Sequence, residues 1–555
     1  MFQINHGCFF LWQRALSSHP KAKHMKEHLC TLKASLVALA LAALLPTAPA
    51  PAQQLGISAS NYAGTNSLYS NPSFIADSRH GFFLSLFSTE AGATNNYLRF
   101  DGPSSLFRMV RAGEEFETDY IKENLNGKAK LVTAGAEFRG PALMLSLSPR
   151  HSIAFTTRVR SGVQANNLSE DIARLYKVVE DDDESFLNKA FQSQSMNLNA
   201  NVFSELGLTY ARVLADRGPH FVKGGITVKK LTGGYSAFLS INDTGFTVRE
   251  GQQTGSEDAD YILHLDRVQA RYGYAAAEDF DALEPSDAIR LLTGADAPGK
   301  GWGADIGFAY EYRPDPAQYR YTMDGKSEFD VEENKYKYRL AIAVMDVGGI
   351  SYADAPSVQA YSISRTAREL NLNTLGEAED TDEAIGILNQ SLDAAAADRS
   401  TSFRSGLPTA LNVSFDYNIA GALYANASLV QGLRGKDAVG MRQSSLAALT
   451  PRLELRKLEI AFPVALQNNY SVVTVGAMVR LLNFYVGSDN LGGAFNIGNP
   501  YGANVYAGVS LLPLLRRNIK DKDGDGVSNK RDKCRKTPGK AEFMGCPDAA
   551  HTQHL

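Results

Sequence analysis

The chain has 555 residues, with 56 Lys and Arg against 60 Asp and Glu and a formal net charge of −4. A balance so near neutrality argues against a nucleic-acid partner. No apolar run of about 18 residues follows the N-terminal leader, which argues against a transmembrane helix. Frequent Tyr (24), Phe (27) and Gly (47) with only 2 Trp fit an exported all-β protein instead.

In chain order, Lys21, Lys23, Lys26 and Lys33 form a cationic stretch, residues 34–45 an apolar run, and Ala50-Pro51-Ala52 a set of small residues ahead of Gln53. That order is the order of a signal peptide, predicted over residues 1–52 with Met25 as an alternative start. The apolar run falls short of the ~20 residues of a membrane-spanning helix. Cys8 and Cys30 lie in this leader, so the exported chain keeps Cys534 and Cys546. Residues 53–78 follow, small, polar and turn-rich, ahead of strand-like sequence that begins at residues 82–87.

From there the dominant signal is alternation. In residues 304–313, Ala304, Ile306, Phe308, Tyr310 and Tyr312 share one face and Asp305, Gly307, Ala309, Glu311 and Arg313 the other. In 336–344, Tyr336, Tyr338, Leu340, Ile342 and Val344 alternate with Lys337, Arg339, Ala341 and Ala343; Leu411, Val413, Phe415 and Tyr417 behave likewise. A period of two places the sets on opposite faces of a sheet. A soluble sandwich alternates too. The runs have the ~9–11 residues of a tilted membrane strand. Aromatic residues cap them (Tyr310 and Tyr312, Tyr336 and Tyr338, Phe415 and Tyr417, Phe484 and Tyr485), as interfacial girdles require. The polar face mixes charges with Gly, Ser and Asn, as a wet or loosely filled lumen would. The reading is an all-β chain: a transmembrane antiparallel β-barrel of roughly 14 strands over residues 79–517. Further strands are predicted at 94–100, 220–230, 234–248, 355–363 and 452–462, among others. Inserts are expected at 114–126, 168–191, 278–292 and 366–397, the last with a helical run at 382–396. Asp181 to Glu184 form an acidic run that reads as solvated loop.

The final stretch carries the most specific chemistry. Counted from Asp521, the residues Asp521, Asp523, Asp525, Asn529 and Asp532 occupy positions 1, 3, 5, 9 and 12, and Val527 at position 7 offers its carbonyl. Calcium takes about six to eight oxygens, and these offsets bring successive oxygens to one centre. Gly524 and Gly526 permit the sharp turn. An EF-hand is disfavoured because Pro513, Arg516 and Arg517 stand where its first helix belongs and position 12 is Asp. The cofactor reading is therefore calcium. Cys534 and Cys546, an even pair in an exported chain, read as a disulfide. Zinc is the alternative, but two cysteines with only the distant His551 and His554 do not make a four-ligand site.

Residues 518–548 resemble a thrombospondin type 3 repeat of the kind that links barrel and peptidoglycan-binding domains in OmpA-family proteins. Cys534, Pro538, Gly539, Gly545, Cys546 and Pro547 carry the resemblance, while Arg535 and Asn529 depart from it. The peptidoglycan-binding domain of that family is expected to be absent here, with residues 549–555 a tail. Ser60 to Asn66, Asn71-Pro72-Ser73 and Ala76 to Arg79 resemble the opening of an uncharacterised family of Bacteroidota outer-membrane proteins. That family is similar to FadL-type and PorV-type barrels, whose N-terminal segment folds inward. The resemblance implies a plug over residues 53–78.

No HExxH, GxSxG or P-loop pattern occurs. Gly299 to Gly303 is glycine-rich but opens a strand, so it presents no helix amides to a phosphate. His151, His220 and His264 read as strand or turn residues, and Asp305 and Glu311 as lumen polarity. An enzyme is not expected. The expected function is passage or binding of a small apolar molecule by a monomeric barrel in outer-membrane lipid. The alternative is a non-transporting adhesion or secretion-accessory scaffold with a surface or secretion protein partner. A soluble, secreted calcium-binding β protein is the third reading.

Overall fold

Period-two sequence becomes one antiparallel sheet in the computed structural model, which describes residues 54–112, 120–180, 183–251, 261–277, 290–294, 297–353, 355–378, 380–496 and 500–548. The predicted leader and tail, Asp181, Asp182 and most of the 278–292 insert lie outside the described residues. The strands are β1 (His80–Asn95), β2 (Leu98–Phe100), β3 (Ile121–Glu123), β4 (Lys130–Arg139), β5 (Ala142–Ser148), β6 (His151–Leu168), β7 (Ala190–Arg217) and β8 (His220–Glu250). Next come β9 (Tyr261–Ala276), β10 (Gly299–Tyr312), β11 (Arg320–Met323), β12 (Lys326–Phe329), β13 (Tyr338–Ala353), β14 (Gln359–Asn371), β15 (Arg399–Ser400), β16 (Ser402–Gly406) and β17 (Ala410–Ala420). The last are β18 (Leu423–Gly432), β19 (Leu446–Glu454), β20 (Leu458–Ala461), β21 (Val464–Gln467), β22 (Val472–Val475), β23 (Ala477–Leu481), β24 (Phe484–Ser488) and β25 (Gly502–Leu515).

The sheet closes on itself. β1 pairs with β25 from His80 opposite Leu515 to Thr94 opposite Gly502. Its other edge pairs with β4 and β5. Antiparallel neighbours then run through β6, β7, β8, β10, β13, β17, β18 and β19, the broken strands β20–β21 and β22–β23, and β24 back to β25. The ring has about 14 strand positions. It is a transmembrane antiparallel β-barrel, and closure of the ring separates it from the sandwich that would alternate equally well.

Orientation of side chains follows the pleat. Ile306, Phe308, Leu340, Ile342 and Phe415 are exposed on the outer surface. Register makes them a continuous band, with Phe308 opposite Ile342 and Leu340 opposite Phe415. An apolar belt of this extent is a lipid-facing surface. Asp305, Glu311, Arg339 and Asp416 from the alternate positions are buried. One rim, here the near rim, carries the start of β1 and the end of β25. Its turns are short, except for residues 313–337, which contain the β11–β12 hairpin. His220 Nδ1 and Tyr310 Oη lie 2.8 Å apart there, and His151 and Tyr210 repeat that contact. His151 and His220 thus belong to the aromatic girdle, whereas His264 lies on β9 with its Nδ1 3.0 Å from Glu369.

The far rim carries longer excursions. β7 and β8 have 28 and 31 residues. The ring half of β8 bonds β10, and its outer half bonds β9, which bonds β14. The expected strands 220–230 and 234–248 are therefore one strand passing through two environments. Beyond the ring these arms build their own core from Leu239, Phe246, Leu263, Tyr272 and Ile363, covered by Ile385 and Leu388 of the helix Thr381–Ser391. Asp380 caps that helix by accepting from the Glu383 amide.

Four expectations shift. Tyr336 and Tyr485 are buried rather than part of the girdle: Tyr336 precedes the first residue of β13, so the alternation does not extend to it, and Tyr485 takes the pleat opposite to Phe484. The expected strand 452–462 turns at 455–457 between β19 and β20. The expected strand 94–100 splits, with β2 leaving the ring to pair with β3. The predicted loosely filled lumen is crossed by protein and its charges are paired, as described below.

A charge on the lipid face tests the orientation. Ile342→Arg is expected to cost about 2–4 kcal/mol of folding stability in bilayers, read from urea titrations of refolding into liposomes. Lys337→Arg at the near rim should leave the midpoint unchanged.

Candidate functional site

Residues 54–79 cross the interior of the ring. Short helical turns at Leu55–Ser58, Gly64–Tyr69 and Pro72–Ile75 keep the backbone bonded within the segment. The predicted Asn71-Pro72-Ser73 motif has a clear role. Pro72 opens the last turn, and the Asn71 carboxamide accepts from the Ser73 amide at 2.9 Å. Its Nδ2 donates to the carbonyl oxygens of Phe308 and Ile342 on the barrel wall, at 3.2 and 3.1 Å. The motif lies against Gly225 and Gly307, which face each other across β8 and β10. A Cβ at Gly307 would come within 2.2 Å of Asn71 Oδ1, and one at Gly225 within 2.6 Å of Pro72 backbone.

The wall around the segment is charged. Arg452 reaches Asp416 at 2.6 Å and Glu454 at 3.0 Å, and Arg480 reaches Glu459 at 3.0 Å. Arg158 bridges Glu205 at 2.5 Å and Glu137 at 3.3 Å, Lys229 meets Asp305 at 2.7 Å, and Lys223 meets Glu311 at 2.8 Å. Such ions tolerate burial only when paired and hydrogen-bonded. The segment is bonded into the network: Ser60 donates to Glu459 at 2.7 Å, and Asp77 receives Arg313 at 2.9 Å and Lys335 at 3.3 Å. Guanidinium groups also lie over its rings, Arg139 over Tyr69 at 4.1 Å and Arg339 over Phe74 at 4.3 Å.

A second layer enters from the far rim. Residues 433–445, between β18 and β19, reach across to β6 and β7. Gly440 donates its amide to Asn199 at 2.6 Å, and Gln164 and Arg442 exchange two bonds of 2.9 Å. Arg434 folds the loop by donating to the carbonyls of Gly406 and Val439 at 2.8 and 2.6 Å. Between this roof and the crossing segment lies a small chamber. Leu55, Phe203, Ile350, Leu407, Met441 and Leu446 supply its apolar lining, with Glu137, Arg160 and Asn201 among its polar groups. Below the segment, at the near rim, is a vestibule lined by Asp77, Arg79, Glu311, Arg313, Lys335 and Tyr336. One space is mainly apolar and the other charged.

The carboxylate loop sits outside the barrel at the near rim. Ligand oxygens of Asp521, Asp523 and Asp525 lie within 4.8 Å of one another. Asp521 accepts the amides of Gly524 and Gly526, both at 2.8 Å. Burial raises its pKa, but the amides of Gly526 and Gly524 outweigh this and hold it below the usual carboxylate value. Asp523 is held above that value by loss of solvation and by the charges of Asp525 and Asp532. Neither oxygen of Asp523 has a hydrogen-bond partner, nor has Asp532 Oδ2, although Asp532 is only 3% exposed. The converging oxygens of Asp521, Asp523 and Asp525 fit a hard cation, and Asp532 is not one of that trio. Asn529 turns its Oδ1 to the Lys522 amide at 3.1 Å, and Val527 is buried beside them. Cys534 and Cys546 are joined by a disulfide.

The model of a family described as "Family of unknown function (DUF5723)" matches residues 72–489, and the chain belongs to that family. The match begins inside the Asn-Pro-Ser motif. No curated protein matches the chain. Among solved structures, the "TodX monoaromatic hydrocarbon channel deltaS2 mutant" is 10% identical with a TM-score of 0.35, over 81% of this chain and 94% of that one. The toluene transporter TbuX of Ralstonia pickettii is 9% identical with a TM-score of 0.35, over 82% and 95%. A Pseudomonas aeruginosa FadL homologue is 9% identical with a TM-score of 0.27, over 80% and 92%. The closed ring of strands, not these distant likenesses, defines the barrel.

Two substitutions test how the segment is held. Gly307→Val should dislodge Asn71 and expose Arg79 to trypsin in detergent-solubilised protein, where the native chain resists. Arg452→Ala leaves Asp416 buried without its main partner and should cost about 3–5 kcal/mol of stability in a urea titration.

Proposed function

We propose that this chain is an outer-membrane barrel that binds or passes a small apolar molecule, with residues 54–79 as its plug and a calcium-binding repeat at the C-terminal end. The observation that carries this reading is the chamber between plug and roof, where Leu55, Phe203, Ile350, Leu407, Met441 and Leu446 present apolar surface beside polar groups that include the wall ions Glu137 and Arg160. A concave space that combines apolar surface with fixed polar groups suits a small, mainly apolar guest. Short turns belong on the periplasmic side of bacterial barrels and long loops outside. The near rim, with the repeat, is accordingly periplasmic and the roof extracellular.

Passage needs the plug to yield. Its polar and ionic contacts can exchange for water, whereas Leu55, Ile57, Leu68 and Ile75 pack against apolar wall residues and must be pulled from them. Purified protein in liposomes should admit a small aromatic hydrocarbon faster than protein-free liposomes. Deleting residues 54–76 should raise leakage of small hydrophilic solutes. A lumen sealed to both in the native and the deleted protein would favour the non-transporting scaffold, a reading supported by the separate core of the far-rim arms.

The repeat would hold calcium through Asp521, Asp523, Asp525, Asn529, Asp532 and the Val527 carbonyl, drawing together carboxylates that otherwise repel. Calorimetric titration of the full chain in detergent is expected to show calcium binding. Asp523→Asn should weaken it by about tenfold or more, since one charged ligand is lost from the set. An absence of heat and of spectral change at millimolar calcium would end this part of the proposal.

A further inference from the structure

The repeat does not hang free. Asp324 and Gly325 form the tight turn of the β11–β12 hairpin, with φ of 53° and 76°, the left-handed pair that an Asp-Gly turn supplies. The Asp324 amide donates to the Gly526 carbonyl at 2.8 Å. Its carboxylate accepts the Ser528 amide at 2.9 Å and the Ser528 hydroxyl at 2.7 Å. These two partners flank Val527, whose carbonyl is the backbone ligand of the calcium loop. One residue of the barrel's near rim thus holds the loop backbone on both sides of a metal ligand. The linker is held as well. Asn518 accepts from the Val331 amide at 3.0 Å and donates to Asp330 at 3.0 Å, and the Ile519 amide donates to Tyr321 Oη at 3.0 Å.

The same hairpin leads into a strap, residues 330–336, that borders the vestibule. Lys335 reaches Asp77 at 3.3 Å, and Asn61 of the plug donates to Tyr336 at 2.9 Å. Repeat, hairpin, strap and plug form one connected path. We propose that the β11–β12 hairpin is the docking surface for the C-terminal repeat, and that calcium in the repeat locks this contact as a latch, keeping the strap across the vestibule beneath the plug. This rests on the calcium reading and adds to it a consequence for the barrel. The loop is built from mutually repelling carboxylates, so without a cation its backbone loses the arc that presents Gly526 and Ser528 to Asp324. Linkage is reciprocal: if metal favours docking, docking favours metal by the same factor.

The test uses the full chain in detergent. Asp324→Ala removes the docking carboxylate while leaving every proposed ligand in place, and is expected to weaken calcium binding by about 5-fold or more, the low end of ordinary coupling. Ser528→Ala should move affinity the same way by less. Spin labels at Lys326→Cys and Lys530→Cys should give one narrow distance with calcium and a broad distribution with chelator. Labelling of Ser78→Cys by a water-soluble maleimide should speed up when calcium is removed. If the native chain binds calcium but Asp324→Ala binds it equally well and label distances ignore the chelator, the latch is refuted while the calcium site stands. If the native chain binds no calcium, both fall.

Discussion

Inside a bilayer a backbone N–H or C=O has no water to turn to, and each unpaired group costs several kcal/mol. A sheet meets that constraint only by closing, and β1 does so against β25 along nearly its whole length. Closure divides the side chains by parity. Positions pointing out must suit hydrocarbon, which is why Phe308, Ile342, Leu340 and Phe415 line up across three neighbouring strands. Positions pointing in escape that demand and can hold charge.

Those inward charges organise the rest. Arg452, Asp416, Glu459, Arg158 and Lys229 are buried, and each has a partner of opposite charge on the same or another strand. A paired lattice of this kind offers arginine faces and carboxylate edges to whatever crosses the lumen. The segment 54–79 answers with Tyr69, Phe74, Ser60 and Asp77. Where the wall carries Gly225 and Gly307 instead, backbone meets backbone and Asn71 bonds directly to strand carbonyls. The polar contacts specify one position for the segment, and Leu55, Ile57, Leu68 and Ile75 add apolar packing against the wall. The chamber lies where Phe203, Ile350 and Leu407 join Glu137 and Arg160 of the ionic lattice.

Much of this was legible along the chain. The alternation in 304–313 and 411–418 named the lipid face correctly, because parity survives any amount of twist. The Asn-Pro-Ser motif pointed to an inward segment through resemblance, and the offsets of the carboxylate loop set Asp521, Asp523 and Asp525 together because the turn that converges them is local. Other features were hidden. Tyr336 looked like a girdle residue, since nothing local marks where β13 starts. Residues 433–445 carry no motif, and their roofing role depends on Asn199 and Gln164, more than two hundred residues away in the chain. Asp324-Gly325 is a recognisable hairpin turn, but its contact with Gly526 and Ser528 joins residues some two hundred positions apart.

By itself the sequence determined the closed, lipid-facing β architecture, the loop with its converging oxygens and the cysteine pair, because period-two burial and short-range turns are properties of neighbouring residues. Tertiary structure alone decided which charges pair across the lumen, where the chamber lies between residues 54–79 and the 433–445 loop, and that the carboxylate loop rests on the β11–β12 hairpin. Those outcomes depend on strand register around the ring, which brings distant segments to one height and which no local pattern records.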